Sequence, residues 1–168
     1  IIETNAVRCP DAKQAEKMIQ LIESVRDEGD SIGGVVGARI TGCPVGIGDP
    51  AFDKLDACLA HAILSIQTTK GIEFGAGFNV ATMKGSENND DYMADNENVG
   101  TVTNNAGGIQ GGISNGETIT LRVAIKPPSS ISKKQKTINK DLESETIEVH
   151  GRHDPCICPR VVPVIEAM

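Results

Sequence analysis

The sequence predicts an α+β fold in which helices cover one face of a mainly β structure. Two segments carry apolar residues at helical spacing, CPDAKQAEKMIQLIESVRDEGDS (residues 9–31) and DPAFDKLDACLAHAILSI (49–66). A third, ETITLRVAIK (117–126), alternates apolar and polar residues, as a half-buried strand does. Further short segments with strand character outnumber the helices, and no internal repeat is present, which favours the α+β class.

Each predicted helix has a start signal. Pro10 and Asp11 suit the first turn of the first helix. Its apolar face comprises Ala15, Met18, Ile22 and Val25. In the second helix, Asp49 is the expected N-cap and Pro50 the first helical residue. A further helix is expected to start after Pro163, close to the end of the sequence.

The other segments are predicted to be strands and loops. Strands are expected within residues 1–8, 31–46, 71–85, 117–126 and 146–150. Residues 85–106 are polar, acidic and rich in Asn, which predicts a long loop, and residues 127–145 form a basic, polar excursion.

Composition limits the classes of partner. A net charge of −7 over 168 residues argues against nucleic-acid binding, because phosphate neutralisation needs clustered Lys and Arg. No apolar run approaches the length of a membrane span, so we expect no membrane contact. The five scattered cysteines are typical of a reducing compartment rather than of a disulfide scaffold.

The segment GRHDPCICPR, residues 151–160, concentrates reactive side chains. Cys156 and Cys158 could bind zinc with His150 or His153, but structural zinc needs a second ligand pair that the sequence lacks, so we expect no metal. A cysteine nucleophile paired with His153 is a second possibility, and a loop that presents charge to an anionic ligand is a third. The residues alone leave the last two open.

Two neighbouring segments have the composition of a ligand site. TNNAGGIQGGISNGE (103–117) clusters glycines, which lets backbone N–H groups approach an anion or a planar ring. KPPSS (126–130) follows the alternating strand with one cation and two hydroxyls, which are groups that bind phosphate. A structural role explains these residues equally well: the glycines of 103–117 could form a tight turn, and the prolines of 126–130 could end the preceding strand.

Residues 46–51, GIGDPA, match a relaxed form of the glycine-rich turn that binds dinucleotides. Pro44 interrupts the junction between strand and glycine, so a capped helix start is the simpler explanation. A nicotinamide-dependent oxidoreductase built on this turn stays as an alternative function.

Six motifs together resemble chorismate synthases. They are GDSIGGVV (29–36), KGIEFGAGF (70–78), GSENND (85–90), AGGIQGGISNG (106–116), IKPPSSI (125–131) and GRHDPCICPRVVPVIEAM (151–168). The resemblance runs along essentially the whole chain in order. It implies part of a βαβ sandwich and a homotetramer. It also implies that residues 1–168 form a partial domain, a fragment without the N-terminal part and the C-terminal tail of the family.

The resemblance implies a lyase reaction and its ligands. Members of the family eliminate phosphate from 5-enolpyruvylshikimate 3-phosphate in a 1,4-anti reaction to give chorismate, within the shikimate pathway to aromatic amino acids. They use reduced FMN, and whether NADPH serves as the reductant is left open. A cytoplasmic location is expected, or a plastid in a photosynthetic eukaryote. The alternative is an inactive flavin- or anion-binding module that retains only this half, and the fragment alone is expected to be inactive.

The resemblance also assigns residues. The implied FMN contacts are Gln67, Thr68, Gly111, Lys126, Pro127, Pro128, Ser129, Ser130 and Arg152. Asp154 is the implied catalytic residue, in a proton relay at the flavin. The chain differs from the family at two places. It has Gln67 and Thr68 where the family often has Asn and Ala, and it has Pro128 where the family has Thr. The catalytic histidines and substrate-binding arginines of the family belong to its N-terminal half, and His61, His150 and His153 do not replace them.

Overall fold

The computed structural model describes residues 2–95 and 98–168, and its mixture of helices and strands confirms the α+β class. The helices are α1 (Ala12–Asp27), α2 (Leu55–Ser65), α3 (Gly85–Asn88) and α4 (Cys158–Ala167). The strands are β1 (Gly34–Ile40), β2 (Thr69–Phe74), β3 (Tyr92–Asp95), β4 (Asn98–Thr101), β5 (Ile109–Gln110), β6 (Ile113–Ser114), β7 (Ile119–Ile125), β8 (Gln135–Ile138) and β9 (Ser144–Ile147). Within the described residues no helix is long and apolar enough to cross a membrane.

A three-stranded sheet in the order β1-β7-β2 contains the predicted alternating strand at its centre. Ile119, Leu121, Val123 and Ile125 of β7 are each at most 5% exposed, while the residues between them are more exposed. Burying an aliphatic side chain of this size contributes about 1.5–3 kcal/mol. The alternation predicted from the sequence is therefore confirmed, and β7 supplies a main part of the core.

The helix starts were predicted with mixed success. α1 begins as expected, with the Asp11 side chain accepting a hydrogen bond from the Gln14 backbone N–H at 2.9 Å. The expected start of α2 at Asp49 is wrong, because the Asp49 N–H donates to the Asp53 carbonyl and the segment closes on itself. α4 begins at Cys158 rather than after Pro163, which lies inside the helix.

Several segments predicted as strand or loop differ in the structure. Residues Ile2–Thr4 form a 3-10 helix and not the expected strand, while residue 1 lies outside the described residues. The expected loop 85–106 contains α3 and the hairpin of β3 and β4, with residues 96 and 97 outside the described part. The polar excursion 127–145 contains most of a second hairpin, β8 and β9. The described residues of both hairpins are mostly exposed, so no buried apolar face marks these short strands.

The chain divides into two compact units. The first comprises Ile1–Gly34 with Ile125–Pro163, and the second comprises Val35–Ala124 with Val164–Met168. The first unit contains α1, the β8–β9 hairpin and the start of α4. The second contains α2, β2 and the β3–β4 and β5–β6 hairpins.

Candidate functional site

In the first unit, the segment 126–130 leaves the end of β7 with its polar groups accessible. Pro127, Ser129 and Ser130 are exposed, and Lys126 and Pro128 are partly exposed. The two prolines restrict φ and carry no backbone N–H, which keeps the chain out of a helix. The Ser31 hydroxyl donates a 2.5 Å hydrogen bond to the carbonyl of Pro128 and so fixes the middle of the segment.

A glycine brings a second chain segment against residues 126–130. A Cβ atom at Gly33 would collide with the carbonyl oxygen of Ile125 and would lie 3.0 Å from the nitrogen of Pro127. Only glycine therefore allows this approach without a shift of the backbone. We call residues 31–34, SIGG, the bridging segment.

The bridging segment also contacts the loop that precedes α4. The Ile32 backbone N–H donates to the Pro155 carbonyl at 2.8 Å, and a Cβ atom at Gly34 would lie 2.9 Å from the Cys158 Sγ. The structure thus brings two predicted groups, residues 126–130 and the GRHDPC loop, against the same four residues. The GDSIGGVV motif contains these four residues, but no role for them was predicted from the sequence.

Within the GRHDPC loop, each charged residue has a different environment. Asp154 is 31% exposed and pairs with Arg160 of α4, with Oδ2 and Nη1 3.0 Å apart. Arg152 is exposed and makes no ion pair with any described residue. The His153 Nε2 donates to the Val149 carbonyl at 2.9 Å, so this ring is held by the backbone of its own loop. A cysteine–histidine pair is therefore not the arrangement found here.

The two cysteines of the loop perturb one another. A hydrogen bond from the Cys158 thiol, helped by the Cys158 backbone N–H, lowers the pKa of Cys156 to about 6 despite partial burial. The same interaction, together with burial, raises the pKa of Cys158. Among the described residues, no group of three or more His, Cys, Asp or Glu side chains could hold a metal ion.

In the second unit, Gln67 and Thr68 form the turn between α2 and β2. Gln67 is exposed. Thr68 has a φ of 77°, a left-handed conformation that is uncommon for a β-branched residue and is often found at functional sites. The hydroxyls of Thr68 and Thr69 are buried and lack a hydrogen-bond partner within the described chain. The hydrogen-bonding capacity of these two hydroxyls is therefore unused within the described chain.

Gly111 lies in the tight turn of the β5–β6 hairpin, where its φ of 61° and the φ of 86° at Gly112 are typical of a type I′ turn. The two glycines differ in their surroundings. A Cβ atom at Gly112 would lie 2.5–2.7 Å from side-chain carbons of Lys54, whereas one at Gly111 would meet no atom within 4 Å. Of these two glycines, Gly111 is the one with open space next to its backbone.

A buried carboxylate anchors the chain that leads to this glycine cluster. Asp90 is 8% exposed and accepts hydrogen bonds from the Thr103 hydroxyl and from the backbone N–H groups of Asn105 and Ala106, at 2.7–2.8 Å. Desolvation raises the pKa of Asp90, but these three hydrogen bonds outweigh it and lower the pKa overall. Asp90 is the last residue of the GSENND motif, and no role for it was predicted from the sequence.

Comparison with known proteins identifies the family. The family model described as chorismate synthase matches residues 1–168. This chain belongs to the chorismate synthase family. A chorismate synthase from Trichodesmium erythraeum is 54% identical over 99% of this chain and 45% of its own length. The chloroplastic chorismate synthase of Capnoides sempervirens is also 54% identical, over 99% of this chain and 38% of its own length.

A structural relative agrees with this assignment. A solved structure described as the crystal structure of chorismate synthase has a TM-score of 0.72 and 34% sequence identity, covering 77% of this chain and 39% of that one. The chorismate synthase-like fold is therefore confirmed. The chain spans less than half the length of these chorismate synthase relatives.

The residues present fit the flavin that the chorismate synthase resemblance implies. The first unit offers an accessible ammonium group, two exposed hydroxyls and a guanidinium that pairs with no described carboxylate, a donor set suited to a phosphate. The second unit offers the Thr68 hydroxyl and the open backbone at Gly111, which suit a polar, planar ring. The groups suited to a phosphate thus belong to the first unit, and those suited to a ring belong to the second.

Proposed function

We propose that this chain is the flavin-binding part of a chorismate synthase that eliminates phosphate from 5-enolpyruvylshikimate 3-phosphate to give chorismate. The observation that carries the proposal is the family match over residues 1–168. The bridging segment supports it, because it holds the 126–130 segment and the GRHDPC loop together. The dinucleotide alternative has lost support, since β1 ends at Ile40 and α2 begins only at Leu55, so the glycine turn at residues 46–48 does not open a helix.

In the first unit, we propose that the residues bind anionic groups of the cofactor or the substrate. Lys126, Ser129 and Ser130 would hold the FMN phosphate, with one ammonium group and two hydroxyls as donors. Pro127 and Pro128 shape the segment, with the Pro128 carbonyl held by Ser31. Arg152 is exposed and forms no ion pair with a described carboxylate, so its guanidinium can bind an anionic group of the cofactor or substrate.

Asp154 is the proposed proton-handling residue. Its ion pair with Arg160 orients the carboxylate, and its partial exposure leaves it open to a bound ligand. A carboxylate fixed in this way can accept or pass on a proton at a defined place.

In the second unit, Gln67, Thr68 and Gly111 are the residues that would hold the flavin. Where the family often has Ala, Thr68 adds a hydroxyl that has no other described partner. The reduced flavin, when bound, supplies an electron-rich ring that can lower the barrier to loss of a non-acidic proton as phosphate departs. NADPH is a proposed reductant of that flavin.

We further propose that the chain by itself does not turn over substrate, and that the enzyme is a homotetramer in the cytoplasm or in a plastid. Two aromatic side chains of the second unit, Phe52 and Phe78, are 93% and 83% exposed, which is consistent with burial against other subunits. Light scattering after size-exclusion chromatography measures the subunit number.

Flavin binding tests the residue assignment. The aligned segment of the Trichodesmium erythraeum relative is replaced by this chain, and FMN is titrated with the chimera. Loss of a hydrogen bond to a charged group costs about 1.5–3 kcal/mol, so Lys126→Ala should weaken binding by about 10–150-fold. Lys134→Ala removes an exposed charge of the same type outside the 126–130 segment and serves as the matched control. Equal affinities for the two variants would contradict the role of Lys126.

A further inference from the structure

The elimination reaction assigns no task to Cys156 and Cys158, yet these two residues carry nucleophilic chemistry. They lie two positions apart at the start of α4, and Cys158 is the first helical residue. The Cys158 sulfur packs against the bridging segment, where Gly34 has no side chain to occupy the space. Both side chains are partly exposed, so small reagents have access to them.

Packing and the helix give the two sulfurs different properties. Backbone N–H groups at a helix N-terminus favour a thiolate, and the pKa of Cys156 is lowered to about 6 by the hydrogen bond from Cys158. Cys158 gives up that hydrogen bond when it ionises, so its pKa is raised while Cys156 is charged. Gly34 leaves room for the Cys158 sulfur, which a Cβ atom there would approach to 2.9 Å. Cys156 is therefore the attacking thiol and Cys158 the resolving one.

We propose that Cys156 and Cys158 form a thiol–disulfide exchange site for low-molecular-weight disulfides of the glutathione type. The Cys156 thiolate attacks one sulfur of the disulfide, which releases one thiolate and leaves a mixed disulfide. This step removes the negative charge on Cys156 and the hydrogen bond that kept Cys158 protonated. Cys158 then loses its proton to water and attacks the Cys156 sulfur, which releases the second thiolate. The protein dithiol is oxidised to one disulfide, and the small disulfide is reduced to two thiols.

Selective alkylation tests the first step on the whole chain. At about pH 6 a thiol of pKa about 6 is half ionised, whereas an ordinary thiol of pKa about 8.5 is about 0.3% ionised. The lower nucleophilicity of an acidic thiolate offsets about tenfold of this advantage. Iodoacetamide should therefore label Cys156 about tenfold faster than the exposed Cys58, as measured by peptide mass spectrometry. Labelling of Cys58 first would overturn the proposal.

Oxidation with glutathione disulfide tests the second step. The unmodified chain should form an internal disulfide between Cys156 and Cys158, identified after the remaining thiols are blocked. Cys158→Ser should accumulate the glutathione mixed disulfide at Cys156, and Cys156→Ser should keep Cys158 as a thiol. A mixed disulfide that persists in the unmodified chain would show that Cys158 does not resolve it, which would overturn the proposed exchange.

Denaturation shows whether the reactivity of Cys156 comes from the folded structure or from its neighbours in the sequence. The same alkylation in urea should remove the preference for Cys156, because the helix N-terminus and the Gly34 packing are lost. An unchanged preference in urea would contradict the structural origin of the reactivity. Because every measurement reads the thiols and none requires turnover, a failure here leaves the proposed elimination untouched, and the reverse also holds.

Discussion

Asp90→Asn provides a sharp test of how the second unit is held together. The carboxylate has two oxygens for three donors, of which two are the backbone N–H groups of Asn105 and Ala106. The amide of Asn keeps one oxygen and turns an N–H donor towards another donor. One buried N–H without a partner costs about 1–3 kcal/mol, and the remaining bonds lose their ionic assistance, about 1 kcal/mol each. We therefore expect a loss of about 3–5 kcal/mol in the free energy of unfolding.

The single tyrosine reports on this change. Tyr92 lies two positions after Asp90, and its hydroxyl donates to the Gln110 Oε1 at 2.6 Å, so its fluorescence follows the second unit without interference from tryptophan. Urea unfolding is measured for the unmodified chain, for Asp90→Asn and for Asp91→Asn. Asp91 is exposed, and its substitution should change the stability by no more than about 0.5 kcal/mol. Equal midpoints for the two variants would refute the anchoring role.

The effect should also depend on pH with a defined sign. Because the pKa of Asp90 is lowered in the folded state, the carboxylate contributes stability above its unfolded pKa of about 3.9. That contribution is lost as the pH falls through the folded pKa. The difference between the unmodified chain and Asp90→Asn should therefore be constant near neutral pH and should shrink below about pH 4. A difference that grows in acid would contradict the assigned pKa direction.

The other predictions concern packing and flavin contacts. Gly112→Ala should lower the free energy of unfolding more than Gly111→Ala in the same urea assay. Both variants place alanine in a left-handed conformation, which costs about 1–2 kcal/mol, but only the alanine at 112 also clashes with the Lys54 side chain. Pro128→Thr should hold or improve FMN affinity in the chimera, by up to about 0.5–1.5 kcal/mol, and a clear loss would show that Pro128 shapes the segment. Arg160→Ala should lower the free energy of unfolding by less than about 1 kcal/mol, since the Arg160 side chain is 63% exposed, while turnover of the chimera falls.

Local patterns in the sequence predicted the elements that bury an apolar face. The alternation of β7 matches a strand with one face in the core, and the cap and spacing of α1 match an amphipathic helix. The β3–β4 and β8–β9 hairpins were missed because their strands are short and largely exposed. The start of α2 was misplaced because a bridge between Asp49 and Asp53 competes with the cap that Asp49 and Pro50 suggested.

Much of the candidate site could be named from motifs, but the contacts that position it could not. The KPPSS and GRHDPC motifs can be identified from the amino-acid sequence alone. Their common attachment to the bridging segment depends on contacts such as that of Ser31 with Pro128, which are 97 residues apart in sequence. The pairing of Asp154 with Arg160, and the unpartnered hydroxyl of Thr68, likewise depend on backbone geometry that no spacing rule encodes.

The most direct test of the central claim is chorismate formation by the chimera that carries this chain in the Trichodesmium erythraeum relative. With reduced FMN and 5-enolpyruvylshikimate 3-phosphate, we expect turnover, and Asp154→Asn should lower it by about 10²–10⁴-fold while FMN and substrate still bind. The chain alone should form no chorismate. A folded chimera that binds both ligands and yet forms no chorismate, or an Asp154→Asn variant with unchanged turnover, would contradict the account.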